Sequence, residues 1–151
     1  MKLIEEFLAL KRIAVVGVSQ RPQDFSRMLF RELASRGYDV VPVHPAAQEI
    51  EGKQCFPNVQ EIFPPVEGAL VMTRPAVTYT VVRDCVAAGV GRVWMWGGAG
   101  KGAVSSEALA LAEIRKLRVI AGECPFMFLP AAGWIHRLHG MVLKIAGTYP
   151  A

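Results

Sequence analysis

Short apolar runs of strand length alternate along this chain with stretches whose apolar residues recur every three or four positions. The strand-like runs are residues 13–18, 39–43, 68–72, 92–95 and 118–121. Between them, 26–36 places Met28, Leu29 and Leu33 on one helical face, and Gly37 is suited to stop it. Residues 75–88 do the same with Val77, Val81, Val82, Cys85 and Val86, opening on a proline tolerated in the first turn and ending at Gly89. A third helix is expected over 107–117, capped by Ser105 or Ser106 and packed through Ala108, Leu111, Ala112 and Leu117. Leu3, Ile4, Phe7 and Leu8 predict a short amphipathic helix at the start.

Strands alternating with helices predict an α/β fold. Right-handed crossovers then give a doubly wound, mainly parallel five-stranded sheet with helices on both faces, expected in the order 3-2-1-4-5. Ligands in such sheets bind beyond the carboxyl ends of the strands, where the winding reverses. Strand ends are therefore where chemistry is sought.

The first strand runs into Gly17, Val18, Ser19, Arg21 and then Ser26. Glycine permits close backbone approach, the serine offers a hydroxyl, and arginine offers a fork for phosphate oxygens. A phosphate cradle at the following helix start and a plain tight βα turn both fit these residues. The second strand ends in Val43-His44-Pro45, where an NAD site would place an acidic ribose reader. The Gly-x-Gly-x-x-Gly fingerprint is also missing, since Ser19 and Pro22 stand where the later glycines belong. Both departures weigh against NAD. The third strand ends in Thr73-Arg74-Pro75, placing a cation at a helix N-terminus, which is unfavourable unless an anion shares the place. The fourth leads through Trp96 and Gly97 into Gly98-Ala99-Gly100-Lys101-Gly102, which fails the Walker spacing and reads as either a flexible loop or a ligand loop.

Length, charge and cysteines narrow the partners. The 151 residues are expected to form one domain, 1–151, burying roughly 70% of the unfolded surface. A net charge of +4 favours anionic ligands, but lysines and arginines are spread out, so no nucleic-acid surface is expected. The apolar runs fall short of the ~20 residues of a membrane span, and no signal peptide is visible. Cys55, Cys85 and Cys124 are few and scattered, as reduced thiols of a cytoplasmic protein would be.

The ordered set Ile13-Ala14-Val15-Val16-Gly17-Val18-Ser19, Gly37 to Pro45, Ile50 to Val59, Arg74-Pro75 and Gly89 to Trp94 resembles the small stand-alone CoA-binding proteins. Their fold is that of the CoA-binding domain of the succinyl-CoA synthetase alpha subunit, and the resemblance covers about residues 1 to 125. It implies a Rossmann-like domain holding coenzyme A or an acyl-CoA. The diphosphate would lie over Gly17, Val18 and Ser19, adenosine near His44 and Pro45, with Arg21 and Arg74 as cations. The pantetheine arm would run towards Trp96, Gly97 and Gly98. Family members commonly carry Asn in place of His44, Lys in place of Arg74 and Gln in place of Trp96.

Beyond Pro125 the chain predicts an amphipathic helix over about 133–146, with Trp134, Ile135, Leu138, Met141, Val142 and Ile145 on one face. Packing on the domain or on a second copy is expected there. His136 and His139 lack a nearby carboxylate or thiol to complete a zinc site. No catalytic triad or carboxylate pair stands out, so the expected function is non-catalytic CoA binding, accessory or regulatory to an acyl-CoA-using partner. A small nucleotide-dependent enzyme, NAD(P)-linked or acyl-CoA-handling, and a ligand-free interaction module are the rivals.

Overall fold

A computed structural model describes residues 1–98 and 102–130. In chain order the elements are α1 (Lys2–Leu8), β1 (Arg12–Val16), α2 (Phe25–Ser35), β2 (Asp39–Val43), the hairpin β3 (Glu49–Ile50) and β4 (Lys53–Gln54), β5 (Gly68–Val71), α3 (Pro75–Ala87), β6 (Arg92–Trp96), α4 (Ser106–Ile114) and β7 (Arg118–Glu123). Every expected strand and helix within the described residues is present, with no end shifted by more than three residues. The expected helix at 133–146, with His136 and His139, lies outside the described residues.

Five parallel strands form the sheet, in the order β2-β1-β5-β6-β7. Counted along the chain as five sheet strands this is 2-1-3-4-5, which corrects the expected 3-2-1-4-5. The reason lies at the outer edge of β2. There the chain returns after the hairpin, and Phe56 bridges Val43 in parallel, donating to the Pro42 carbonyl and accepting from the His44 N–H at 3.0 Å each. With that edge covered by the connection itself, the next long strand crosses to the far side of β1. The winding therefore reverses between β1 and β5, the switch point of flavodoxin-like sheets.

Alternation along the strands builds two cores. Ile13 and Val15 of β1, Val40, Leu70, Trp94 and Ile120 face α1 and α2, joining Ile4, Phe7, Leu29, Phe30 and Leu33. Ala14, Val16, Val41, Ala69, Val71, Val93 and Met95 face α3 and α4, joining Val81, Val82, Cys85, Ala108 and Ala112. Helices thus cover both faces. Each buried valine or leucine contributes ~1.5–3 kcal/mol, and β1, β2, β5 and β6 read as continuous apolar runs because both their faces are covered. Trp94, fully buried, meets Phe7 edge-on with centroids 5.4 Å apart and donates its indole N–H to the Glu123 carbonyl.

The β6–β7 ladder shifts register between Met95 and Trp96, and two glycines cross there. A Cβ on Gly97 would lie 2.2 Å from the Gly122 carbonyl carbon and oxygen. Gly97→Ala is therefore expected to cost about 1–3 kcal/mol in urea unfolding, as overpacking against rigid backbone does. Gly91→Ala, with nothing within 4 Å of its new methyl, should stay within about 0.5 kcal/mol of the parent.

Candidate functional site

Three strand ends meet at the reversal point. Val16 pairs with Val43 on one side and Val71 on the other, so β1, β2 and β5 end level with one another. Gly17 then turns at φ +91, donating its N–H to the Val43 carbonyl at 3.0 Å. A Cβ here would stand 3.0 Å from the Met72 carbonyl carbon and oxygen, so the turn lies directly against the chain leading to Thr73 and Arg74. Gly17, Val18, Ser19, Val43, His44, Thr73, Arg74 and Pro75 are brought together as the sequence led us to expect. Val18 and Val43 are buried, at 0% and 2% exposure, so neither presents a side chain to a ligand.

The turn after Gly17 is knitted from its own side chains. The Ser19 N–H donates to Ser26 Oγ at 2.9 Å, and Ser19 Oγ donates to Asp24 Oδ2 at 2.6 Å while accepting the Arg21 N–H at 3.1 Å. Ser26 thus holds the loop from the first turn of α2. The N–H groups of Val18 and Gln20 have no acceptor among the described residues. Two unpaired donors beside a helix start form a ready place for an anion. Arg21 and Arg74 border it, both exposed and both without an ion-pair partner among the described residues.

His44 serves the turn that follows β2. Its Nδ1 accepts the N–H groups of Ala46 at 3.0 Å and Ala47 at 3.1 Å. An asparagine Oδ1 would do the same in an Asx turn. Two donors at Nδ1 assign the proton of the neutral ring to Nε2, which is left as a donor. Pro45 is exposed at the tip of the turn.

Thr73 and α3 are tied to the loop after β6. Thr78 is fully buried; its Oγ1 donates to the Ala103 carbonyl at 2.7 Å and lies 2.9 Å from Thr73 Oγ1. Trp96, half-buried on the α2 side, lies 5.6 Å from Phe25 between ring centroids, so it walls the crevice beside the start of α2. Its buried Nε1 finds no well-aligned hydrogen-bond partner and leans on the Cys124 thiol. Burial pushes that thiol up, against the opposing influence of the Phe126 backbone and the nearby Trp96 indole. Burial likewise pushes Cys85 up to about 12. Both are protonated, inert thiols at neutral pH. Gly97 and Gly98 are packing glycines: Gly97 rests on Gly122 and Gly98 on the Trp96 ring. Lys101 and Gly100 lie outside the described residues.

The geometry gives unpaired backbone donors at a Rossmann-like switch point; likeness to known proteins says which family. The model of the CoA binding domain matches residues 11–130. The chain belongs to that family. Uncharacterized protein YneT of Bacillus subtilis is 30% identical over 114 residues, 76% of this chain and 82% of the relative. A hypothetical protein from Pyrococcus horikoshii superposes with a TM-score of 0.76 at 30% identity, over 82% of this chain and 85% of its own. A dinucleotide-forming acetyl-coenzyme A synthetase from Ca. Korarchaeum cryptofilum gives 0.65 at 28% identity, over 77% of this chain but 27% of that longer one.

Five residues of this CoA-binding domain escaped the sequence reading. Asp24 stands at the N-cap position of α2, yet its side chain makes no cap bond and turns to Ser19 instead. Thr78 lay inside an apolar helical face, and nothing in its spacing marks the bond to Ala103. Arg27, its side chain 11% exposed, donates Nη1 to the Ser19 and Gln20 carbonyls at 3.2 Å and pairs with Glu51 at 3.0 Å. Arg31 joins Glu51 at 2.8 Å and the Pro22 carbonyl at 3.0 Å. Glu51 sits in the two-residue β3–β4 turn, where it and Gly52 both take positive φ, a primed hairpin turn. A contact spanning 24 residues leaves no periodic trace.

The hydrogen bond from Arg31 chiefly holds the Glu51 carboxyl below the usual carboxylate range, with Arg27 adding to it. Its folded value lies below its unfolded one, so the brace is complete above about pH 4–5 and is lost as pH falls through the folded value. Amide protection factors across residues 19–24, taken relative to intrinsic exchange at each pH, should fall on acidification, and in Glu51→Gln they should be low already at neutral pH. At the neighbouring turn, His44→Asn should keep parental stability, whereas His44→Ala should lose about 1 kcal/mol by strander of two backbone donors, read by urea unfolding.

Proposed function

We propose that this protein binds coenzyme A or an acyl-CoA in the crevice between the β1 and β5 ends, as a non-catalytic accessory or regulatory protein. The observation that carries the reading is the pair of unpaired N–H groups at Val18 and Gln20, flanked by the unpaired guanidiniums of Arg21 and Arg74. A diphosphate suits that set: backbone donors take equatorial oxygens and each arginine offers a fork. Val18 and Val43 contribute backbone only. His44 and Pro45 would border adenosine, with Nε2 of His44 as the donor, and Thr73 and Pro75 would line the opposite wall. The pantetheine arm would pass Trp96 and Gly97. Ser19 and Ser26 would order the loop rather than act as free hydroxyls.

NAD fits less well. β2 ends at Val43 and His44, with no carboxylate to accept from a ribose, and His44 Nδ1 already accepts two backbone donors. Binding without turnover is the role that these residues can fill by themselves, with an acyl-CoA-using protein or a second copy of the chain as the partner that responds. In the Korarchaeum synthetase the matching portion is one part of a longer enzyme.

Calorimetry with CoA, acetyl-CoA, dephospho-CoA, NAD, NADP and ATP tests this. CoA and acetyl-CoA should bind without NAD competing, and CoA more tightly than dephospho-CoA if the 3′-phosphate is read. Indifference to all six would overturn the reading in favour of a ligand-free interaction module. Arg74→Ala should weaken CoA by about five-fold or more, the loss expected for one charge-assisted hydrogen bond. Unchanged affinity would remove Arg74 from the site.

A further inference from the structure

We propose that Asp24 is an internal stand-in for the ligand's phosphate, a specificity-determining carboxylate that holds the anion site closed and sets its affinity. The inference rests on the reading above but on separate observations. Asp24 directly precedes α2, the position where a carboxylate would ordinarily cap the helix, and yet its side chain accepts no backbone N–H there. Its Oδ2 lies instead 2.6 Å from Ser19 Oγ. Ser19 Oγ is in turn fixed by the Arg21 N–H at 3.1 Å, and the Ser19 N–H by Ser26 Oγ at 2.9 Å. The carboxylate is thus bound to the one hydroxyl that stands between the unpaired N–H groups of Val18 and Gln20.

A hydroxyl has one proton to donate. While Ser19 gives it to Asp24, it cannot give it to a phosphate oxygen. A phosphate arriving at Val18 and Gln20 also meets a like charge at the start of α2, where a single anion is favoured. Entry therefore exchanges one anion for another: the Ser19 proton turns from the carboxylate to the phosphate, and Asp24 swings to solvent or to Arg21, which has no other ion partner among the described residues. The arrangement discriminates by charge. A ligand delivering a full diphosphate can displace the carboxylate, whereas a neutral or singly charged adenosine derivative gains too little to do so.

The experiment compares the parent, Asp24→Asn and Asp24→Ala by calorimetry with CoA, inorganic pyrophosphate and the singly charged 3′,5′-cyclic AMP, each with and without Mg2+. Asp24→Asn keeps an acceptor for Ser19 and removes only the charge, so thermal stability reports whether the loop is intact. We expect both variants to bind CoA and pyrophosphate about five-fold or more tightly than the parent, with the gap in affinity between CoA and cyclic AMP narrowed. Tighter binding by the variants supports the proposal even where the parent shows none. Equal affinity in parent and variants, with CoA bound, overturns the proposal and leaves the CoA reading intact. Weaker binding in both variants that depends on Mg2+ overturns it in the opposite sense, making Asp24 a cation-bridged holder of phosphate. Absence of binding in all three proteins overturns both readings.

Discussion

The candidate site depends on the backbone-to-backbone approach of Gly17 to Met72 and Thr73. Residue 17 must turn at positive φ and lie where any Cβ would sit 3.0 Å from the Met72 carbonyl. A side chain there would be strained on its own account and would also wedge the β1 and β5 loops apart. With the glycine, Met72 donates to the Val16 carbonyl at 2.8 Å and the two loops leave the sheet side by side. This closeness is a product of topology. Because the connection after β2 covers that strand's outer edge with Phe56 and then crosses to β5, the Arg74 turn borders the Gly17 turn rather than lying two strands away.

Given that adjacency, the loop from 17 to 24 is ordered before any ligand arrives. Its carbonyls are taken by Arg27 and Arg31, its hydroxyls by Asp24 and backbone, and Glu51 locks both arginines from the hairpin turn. Ordering in advance lowers the entropy that binding would otherwise cost. What the brace leaves unpaired among the described residues is small and polar, the N–H groups of Val18 and Gln20. The cores on either side of the sheet support this: Val18 is anchored among Leu29 and Phe30, and Thr78 fastens α3 to the β6 loop.

The strand and helix inventory was legible because period-2 and period-3.6 patterns are local, and the apolar runs of β1, β2, β5 and β6 are buried on both faces. Strand order was not legible. The choice between 3-2-1 and 2-1-3 turns on whether Phe56 bridges Val43, a contact between loop and strand with no periodicity to read. Within the site, the residues at strand ends were found because topology makes strand ends converge. Their roles shifted where hydrogen bonds intervened: His44 organises its own turn, Ser26 supports Ser19, and Gly97 serves packing against Gly122. Arg27, Glu51 and Asp24 went unseen because each acts through a partner distant in sequence or by abandoning the capping role its position suggests.

Charge pairing, more than the modest net charge of +4, decides where anions are welcome. At the amino ends of the strands, Arg12 is tied to Asp39 at 2.6 Å, and Arg92 and Arg118 share Glu6. Lys53 donates to the Val40 carbonyl and rests over the Phe30 ring. Arg27 and Arg31 are neutralised by Glu51 although they stand beside the crevice. Arg21 and Arg74 stay uncommitted, one on each side of the Gly17 turn. Exposed charges separated by more than about 10 Å are screened at ordinary ionic strength, so only cations at the mouth itself can favour a bound diphosphate. Arg12, Arg92 and Arg118 at one end of the sheet, and Arg27 and Arg31 beside the crevice, thus serve as structural ties, whereas Arg21 and Arg74 have no ion partner among the described residues and stand in the loops next to the Val18 and Gln20 donors.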